Sequence, residues 1–179
     1  MNKDVGQYFI NLYKDVPSYI YLALLLFFFL VFVLLLLFYG IKKCWRLSMK
    51  TLLSEYICLL LCSTVLFRKY NECRKYDFQP FWSYMAIHEG KSQFMIENIM
   101  NVVVFVPVGL LLGCAYSNIR WLKVLLIGSG ISAVIETLQY FLHRGFSEVD
   151  DLMHNTLGCI IGFGIYKSVQ CICFKTQRF

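Results

Sequence analysis

The chain has 179 residues, 59% of them hydrophobic and 17% aromatic, and a formal net charge of +6. Soluble domains carry about 45–50% apolar residues, so this composition excludes an ordinary soluble domain and points to an integral membrane protein. The basic excess requires no nucleic acid: it collects in loops, as membrane topology demands, with no aromatic-interleaved basic patch.

Residues 1–18 are polar, with Lys3 and Lys14 balancing Asp4 and Asp15, and Pro17 can open a helix. The run Tyr19–Ile41 holds no charge and exceeds the roughly 20 residues a bilayer core requires. It is too long for the h-region of a secretory signal, about 7–15 residues, and reads as a retained, lipid-facing anchor helix. Lys42–Lys50 contains Lys42, Lys43, Arg46 and Lys50 and no acid, which predicts a cytoplasmic loop. A second helix follows over Leu52–Phe67, where Glu55 is expected to snorkel towards the cytoplasmic end. Arg68–Glu97 balances five basic against four acidic residues and contains Phe78-Gln79-Pro80-Phe81-Trp82. This aromatic cluster suits an outer segment at headgroup level.

The third helix, Glu97–Tyr116, opens with Asn98 and Asn101 on one face and is expected to kink at Pro107. Gly109 and Gly113 allow close packing. Arg120 and Lys123 flank a tight cytoplasmic turn into the fourth helix, Trp121–Leu142. The fifth, Asp151–Cys173, contains Gly158-x-x-x-Gly162, and Lys167, Lys175 and Arg178 mark a cytoplasmic tail. The expected fold is all-α: a polytopic membrane protein of five transmembrane helices, N-terminus out and C-terminus in. Residues 1–48 hold the anchor helix, and residues 49–179 form a four-helix membrane domain. Cys58, Cys62, Cys114 and Cys159 lie in apolar runs and read as small core residues. No cysteine has a partner at zinc spacing, and no metal or cofactor is expected.

The polar residues of 131–165 carry the functional signal. Glu136, Gln139 and His143 share one helix face, and Asp151, Asn155, Gly158 and Gly162 share another. A carboxylate such as Glu136 in an apolar helix is costly and marks a functional site. The topology puts Glu136, Gln139, Arg144, Asp150, Asp151 and Asn155 in the outer half of the membrane, level with Asn98 and Asn101. One shared pocket, open to the outside, is the expected result. The alternative is a polar network that locks the helices together, at about 0.6–2 kcal/mol per bond.

These residues resemble those of the VanZ-like family of bacterial membrane proteins. The resemblance rests on Gln79-Pro80-Phe81 and on Glu97-Asn98 through Asn101 to Phe105-Val106-Pro107-Val108-Gly109. It continues in Glu136-Thr137-Leu138-Gln139, Arg144 through Asp150-Asp151, and Asn155-Thr156-Leu157-Gly158. It covers residues 50–166. It implies a protein of the bacterial cytoplasmic membrane, in a family whose founding members are associated with low-level resistance to teicoplanin and related lipoglycopeptides. The family's recurrent polar positions match Asn98, Asn101, Glu136, Gln139, Arg144, Asp150, Asp151 and Asn155.

Two functions compete. In the first, the outer pocket binds or shields a lipid-linked wall precursor or a lipoglycopeptide. Arg144 would hold a carboxylate or phosphate, and Phe78, Phe81 and Trp82 would cover an acyl chain or sugar. In the second, an intramembrane hydrolase or transferase uses Glu136, Asp150 and Asp151 as acid and base, or to hold a divalent metal, with His143 or His154 near. A transporter ranks last, because five helices show no inverted repeat.

Overall fold

The computed structural model describes the backbone of residues 17–116 and 118–176. Lys3, Asp4, Lys14, Asp15 and Arg178 lie outside the described residues, as do the side chains of Lys42, Lys43, Cys173 and Lys175. Among the described residues, five α-helices follow in order: α1 (Ser18–Leu61), α2 (Trp82–His88), α3 (Gln93–Ala115), α4 (Trp121–Leu142) and α5 (Val149–Thr176). Among the described residues, four helical stretches are long and apolar enough to cross a membrane: Ser18–Leu35, Cys44–Leu66, Gln93–Ala115 and Trp121–Leu142. The protein is an all-α membrane protein. Two two-residue strands, β1 (Tyr76–Asp77) and β2 (Ser147–Glu148), interrupt the helical pattern.

The start of the protein departs from expectation. Lys42–Lys50 is not a loop, because α1 is continuous through it. Nothing from Cys44 to Leu61 is Gly or Pro, and hydroxyl bonds from Thr51 to the Leu47 carbonyl and Ser54 to the Lys50 carbonyl follow the helical repeat. The chain nevertheless reverses direction earlier. The Cys44 thiol lies 4.0 Å from the Phe32 carbonyl oxygen, whereas twelve residues of straight helix span about 18 Å. A sharp bend between Phe32 and Cys44 therefore separates the first apolar run from the second. Glu55 does not snorkel: it is buried. It lies eleven residues from either end of the Cys44–Leu66 stretch, about 16 Å of helix, beyond the reach of its side chain.

The fifth expected span is helical over Val149–Thr176 but is not among the four apolar stretches. The reason is its polar content, since Asp150, Asp151, His154, Asn155 and Lys167 all lie on it. It is instead the helix against which α3 and α4 pack. Gly109 of α3 abuts the Cys159 carbonyl, and Gly158 and Gly162 of α5 abut the Val102 and Val106 carbonyls. Around this contact sits a core of Leu60, Val108, Leu112, Val124, Ile135, Cys159 and Phe163. Pro107 lies within α3, which stays helical through it.

Two connections meet at one end of the bundle. Strand β1 pairs in parallel with β2, Tyr76 opposite Ser147 and Asp77 opposite Glu148. The Asn71 amide donates to the His143 carbonyl at 2.8 Å, and the Ser147 amide to the Lys75 carbonyl at 3.1 Å. This pairing ties the loop after α1 to the α4–α5 loop. Beneath them lie the C-terminal end of the Cys44–Leu66 stretch, the N-terminus of α3, the C-terminus of α4 and the N-terminus of α5.

Candidate functional site

The last turn of the second apolar stretch, Cys62–Leu66, is a π-turn. A helix end leaves its last carbonyls without backbone partners, and here two side chains from the α4 end supply them. Gln139 Nε2 donates to the Thr64 carbonyl at 3.0 Å. Arg144 Nη1 donates to the carbonyl of Leu66, and to that of Arg68 at 3.2 Å. Arg144 therefore caps a helix end and clamps neither Asp150 nor Asp151. A charge-assisted cap of this kind contributes about 2 kcal/mol. Arg144→Ala is expected to lower the unfolding temperature of the detergent-purified protein; an unchanged melt would contradict the capping role.

The aromatic loop is held by Asp150. The short helix α2 begins after Phe81, which has a left-handed backbone (φ 64°). Its exposed first amides require an acceptor, and fully buried Asp150 provides it. Its carboxylate accepts from Phe81 N at 2.6 Å, Ser83 N at 3.0 Å and Ser83 Oγ at 2.6 Å. Asn98 Nδ2 adds a bond to Ser83 Oγ at 3.0 Å. Trp82 packs edge-on against Phe94 and Phe146 and donates from Nε1 to Glu148 Oε2 at 3.0 Å. Phe81 remains exposed.

Between these anchors lies a cavity of about 780 Å³, lined by Arg68, Glu97, Asn98, Asn101, Glu136, Gln139, Glu148, Asp151 and Asn155 among others. Asn101 Nδ2 donates to Asp151 Oδ1 at 2.5 Å. Asn155 Nδ2 donates to Ser132 Oγ at 2.9 Å, and Glu136 Oε2 accepts the Glu148 amide at 2.9 Å. Arg68 is packed on Gly145, whose positive φ of +85° lets the loop pass close: an added Cβ there would lie 3.1 Å from Arg68 Nη1. The guanidinium interacts electrostatically with Glu97, Glu136 and Asp151. Yet none of them closes to within 4.0 Å of it; among the described residues only Lys91–Glu89 does so. Lys69, Arg74 and Lys75 also line the cavity.

Six of the expected residues thus share one cavity: Asn98, Asn101, Glu136, Gln139, Asp151 and Asn155. Arg144, Asp150, Phe81 and Trp82 are not among the residues that line it. His143 stacks on Tyr70 and accepts from Arg74 Nε at 3.1 Å, and His154 pairs with the Tyr84 hydroxyl at 2.8 Å. Neither lines the cavity. Sequence reasoning missed Arg68, which reads as a charge marking a helix end, and Glu97 and Glu148, which sit inside the quoted motifs without a role. Among the described residues, no three His, Cys, Asp or Glu side chains form a group able to hold a metal ion.

Glu148 has the clearest electrostatic consequence. Burial, reinforced by the charge of Asp151, pushes its carboxyl up to about 9, against the smaller opposing effect of the Trp82 N–H. Its ordinary value is 4.5, so between those two pH values the folded protein holds a proton that the unfolded chain has released. Stability is then fully present below about pH 4.5 and falls as pH rises towards 9. The unfolding temperature in detergent is expected to drop across that window, and Glu148→Gln to flatten the slope. An equal slope in both proteins would refute the assignment.

The family model described as VanZ/LLP1 matches residues 19–172. The chain belongs to the VanZ/LLP1 family. The match is longer than the 50–166 covered by the motifs and takes in the first apolar run. A curated relative, Protein VanZ of Enterococcus faecium, is 24% identical over 121 residues, which is 68% of this chain and 74% of the relative. No solved structure matches the chain significantly.

Proposed function

We propose that this cavity faces outward from the bacterial cytoplasmic membrane and binds the polar head of an envelope amphiphile. The ligand would be a lipid-linked wall precursor or a lipoglycopeptide, and binding would give low-level protection of the teicoplanin type. The observation that carries this reading is the cavity of about 780 Å³, within the roughly 300–1,000 Å³ of small-molecule sites, with Arg68 set among unbridged carboxylates and amides. Arg68 takes the anion-holding part that the sequence suggested for Arg144. The exposed rings of Tyr76, Phe78, Phe81 and Tyr84 offer apolar cover for an acyl chain.

The topology behind this reading has five helices, N-terminus out and C-terminus in. The bend in α1 supports it, as does the gathering of Arg46, Lys50, Arg120, Lys123 and Lys167 away from the cavity. In it, residues 1–48 are an anchor and 49–179 the four-helix domain.

The test is teicoplanin and vancomycin susceptibility in a sensitive host at matched membrane expression. Wild type is expected to protect selectively against teicoplanin, and Arg68→Gln to reduce protection to the level of empty vector. Glu136→Gln keeps an oxygen for the Glu148 amide and is expected to protect normally. Loss of protection in a folded Glu136→Gln protein would favour acid–base chemistry instead. Wild type without protection would sink the resistance role.

A further inference from the structure

At the opposite end of the bundle lies a second cavity, of about 500 Å³, lined by Arg46, Lys50, Ala115, Tyr116, Asn118, Ile119, Lys123 and Ile127. We infer that this cavity is a binding site for the headgroup of an anionic phospholipid. Its three cations come from two separate helices, Arg46 and Lys50 from α1 and Lys123 from the first turn of α4. Among the described residues no carboxylate lines it, whereas four line the first cavity. An uncompensated set of three cations in one concavity is complementary to a phosphodiester. Lys50 is held in place by its ammonium, 4.8 Å above the Tyr116 ring.

The location favours a lipid over a free anion. Arg46 and Lys50 lie in the first turns of the Cys44–Leu66 stretch, Tyr116 directly follows Gln93–Ala115, and Lys123 opens Trp121–Leu142. All four residues therefore sit at the ends of membrane-crossing stretches, the level of lipid headgroups. The cavity walls are apolar, Ala115, Ile119 and Ile127. Exposed Leu122 and Leu126 on the same helix as Lys123 offer apolar surface for an acyl chain.

The experiment titrates the full-length protein in mild detergent with phosphatidylglycerol or phosphatidylcholine and reads retained lipid by native mass spectrometry. Wild type is expected to retain phosphatidylglycerol in preference. Arg46→Gln and Lys123→Gln are each expected to weaken retention about fivefold. All three cations are exposed, so these variants should fold, and a thermal melt verifies it. Arg120→Gln is the control, since Arg120 is exposed and adjacent but outside the lining; its retention should equal wild type. Three results would overturn the site. Arg120→Gln could weaken retention as much as Lys123→Gln, which marks diffuse surface attraction. Inorganic phosphate could displace the lipid at equal concentration, which marks a free-anion site. The triple variant Arg46→Gln/Lys50→Gln/Lys123→Gln could retain phosphatidylglycerol as wild type does.

Discussion

Asp150→Ala is expected to destabilise the protein severely, while Asp151→Asn leaves a folded protein with an altered cavity. The two acids are adjacent, yet their surroundings differ. Asp150 is fully buried and accepts from two backbone amides and one hydroxyl around Phe81 and Ser83. Removing its carboxylate strands those donors away from water, at about 1–3 kcal/mol each. The sum is a large fraction of a native stability of about 5–15 kcal/mol. The left-handed Phe81 then loses the acceptor that holds it, and Asn98 loses its ordered partner at Ser83. Asp150→Asn should fall between, because its amide group would point a donor at a donor. Among the described residues Asp151 makes one side-chain bond, from Asn101, and an asparagine there can still accept it. Its cost should stay below about 1 kcal/mol. Thermal unfolding in detergent, together with accumulation in the membrane, separates the two. A wild-type melt for Asp150→Ala would remove the anchoring role.

This pair also shows where sequence reading stops. Helical spacing placed Glu136 with Gln139, and Asp151 with Asn155, because a period of 3.6 residues is local information. Those four residues do line one cavity. Spacing does not distinguish Asp150 from Asp151, since what separates them is a loop nearly seventy residues earlier in the chain. Arg68 and Arg144 were exchanged for the same reason. Arg144 follows a polar helix face and looks like a ligand clamp, but the unpaired carbonyls of the π-turn take it. Arg68 follows an apolar run and looks like a topology marker, but the loop at Gly145 packs over it. Glu148 carries no role in the motif as a sequence, and it is the pairing of β1 with β2 that places it in a buried setting. The α3, α4 and α5 ranges were legible to within a few residues from apolar runs alone. The join at Lys42–Lys50 was not, because basic residues mark a membrane boundary without requiring that the helix end there.

Gly158→Ala is expected to disable the cavity although Gly158 itself does not line it. A Cβ at Gly158 would fall 2.0 Å from the Val102 carbonyl oxygen and 3.0 Å from Phe105 Cβ. Real contacts essentially never lie under 3.0 Å, and the obstacle is backbone, which cannot rotate aside as a side chain would. The two helices must separate by about 1 Å, or α5 must shift along α3. Overpacking costs about 1–3 kcal/mol where side chains can yield, and this site should lie at or above the top of that range. The wedge acts beside the cavity floor: Val102 follows Asn101, and Gly158 is one turn beyond Asn155. Separation there stretches the 2.5 Å Asn101–Asp151 bond beyond hydrogen-bonding range. Gly164→Ala is the matched control, since its added Cβ meets only Trp121 at an ordinary 3.5 Å. The expected result is a lowered melt and vector-level teicoplanin susceptibility for Gly158→Ala, with Gly164→Ala near wild type on both. Equal behaviour of the two variants would mean that close α3–α5 contact does not shape the site.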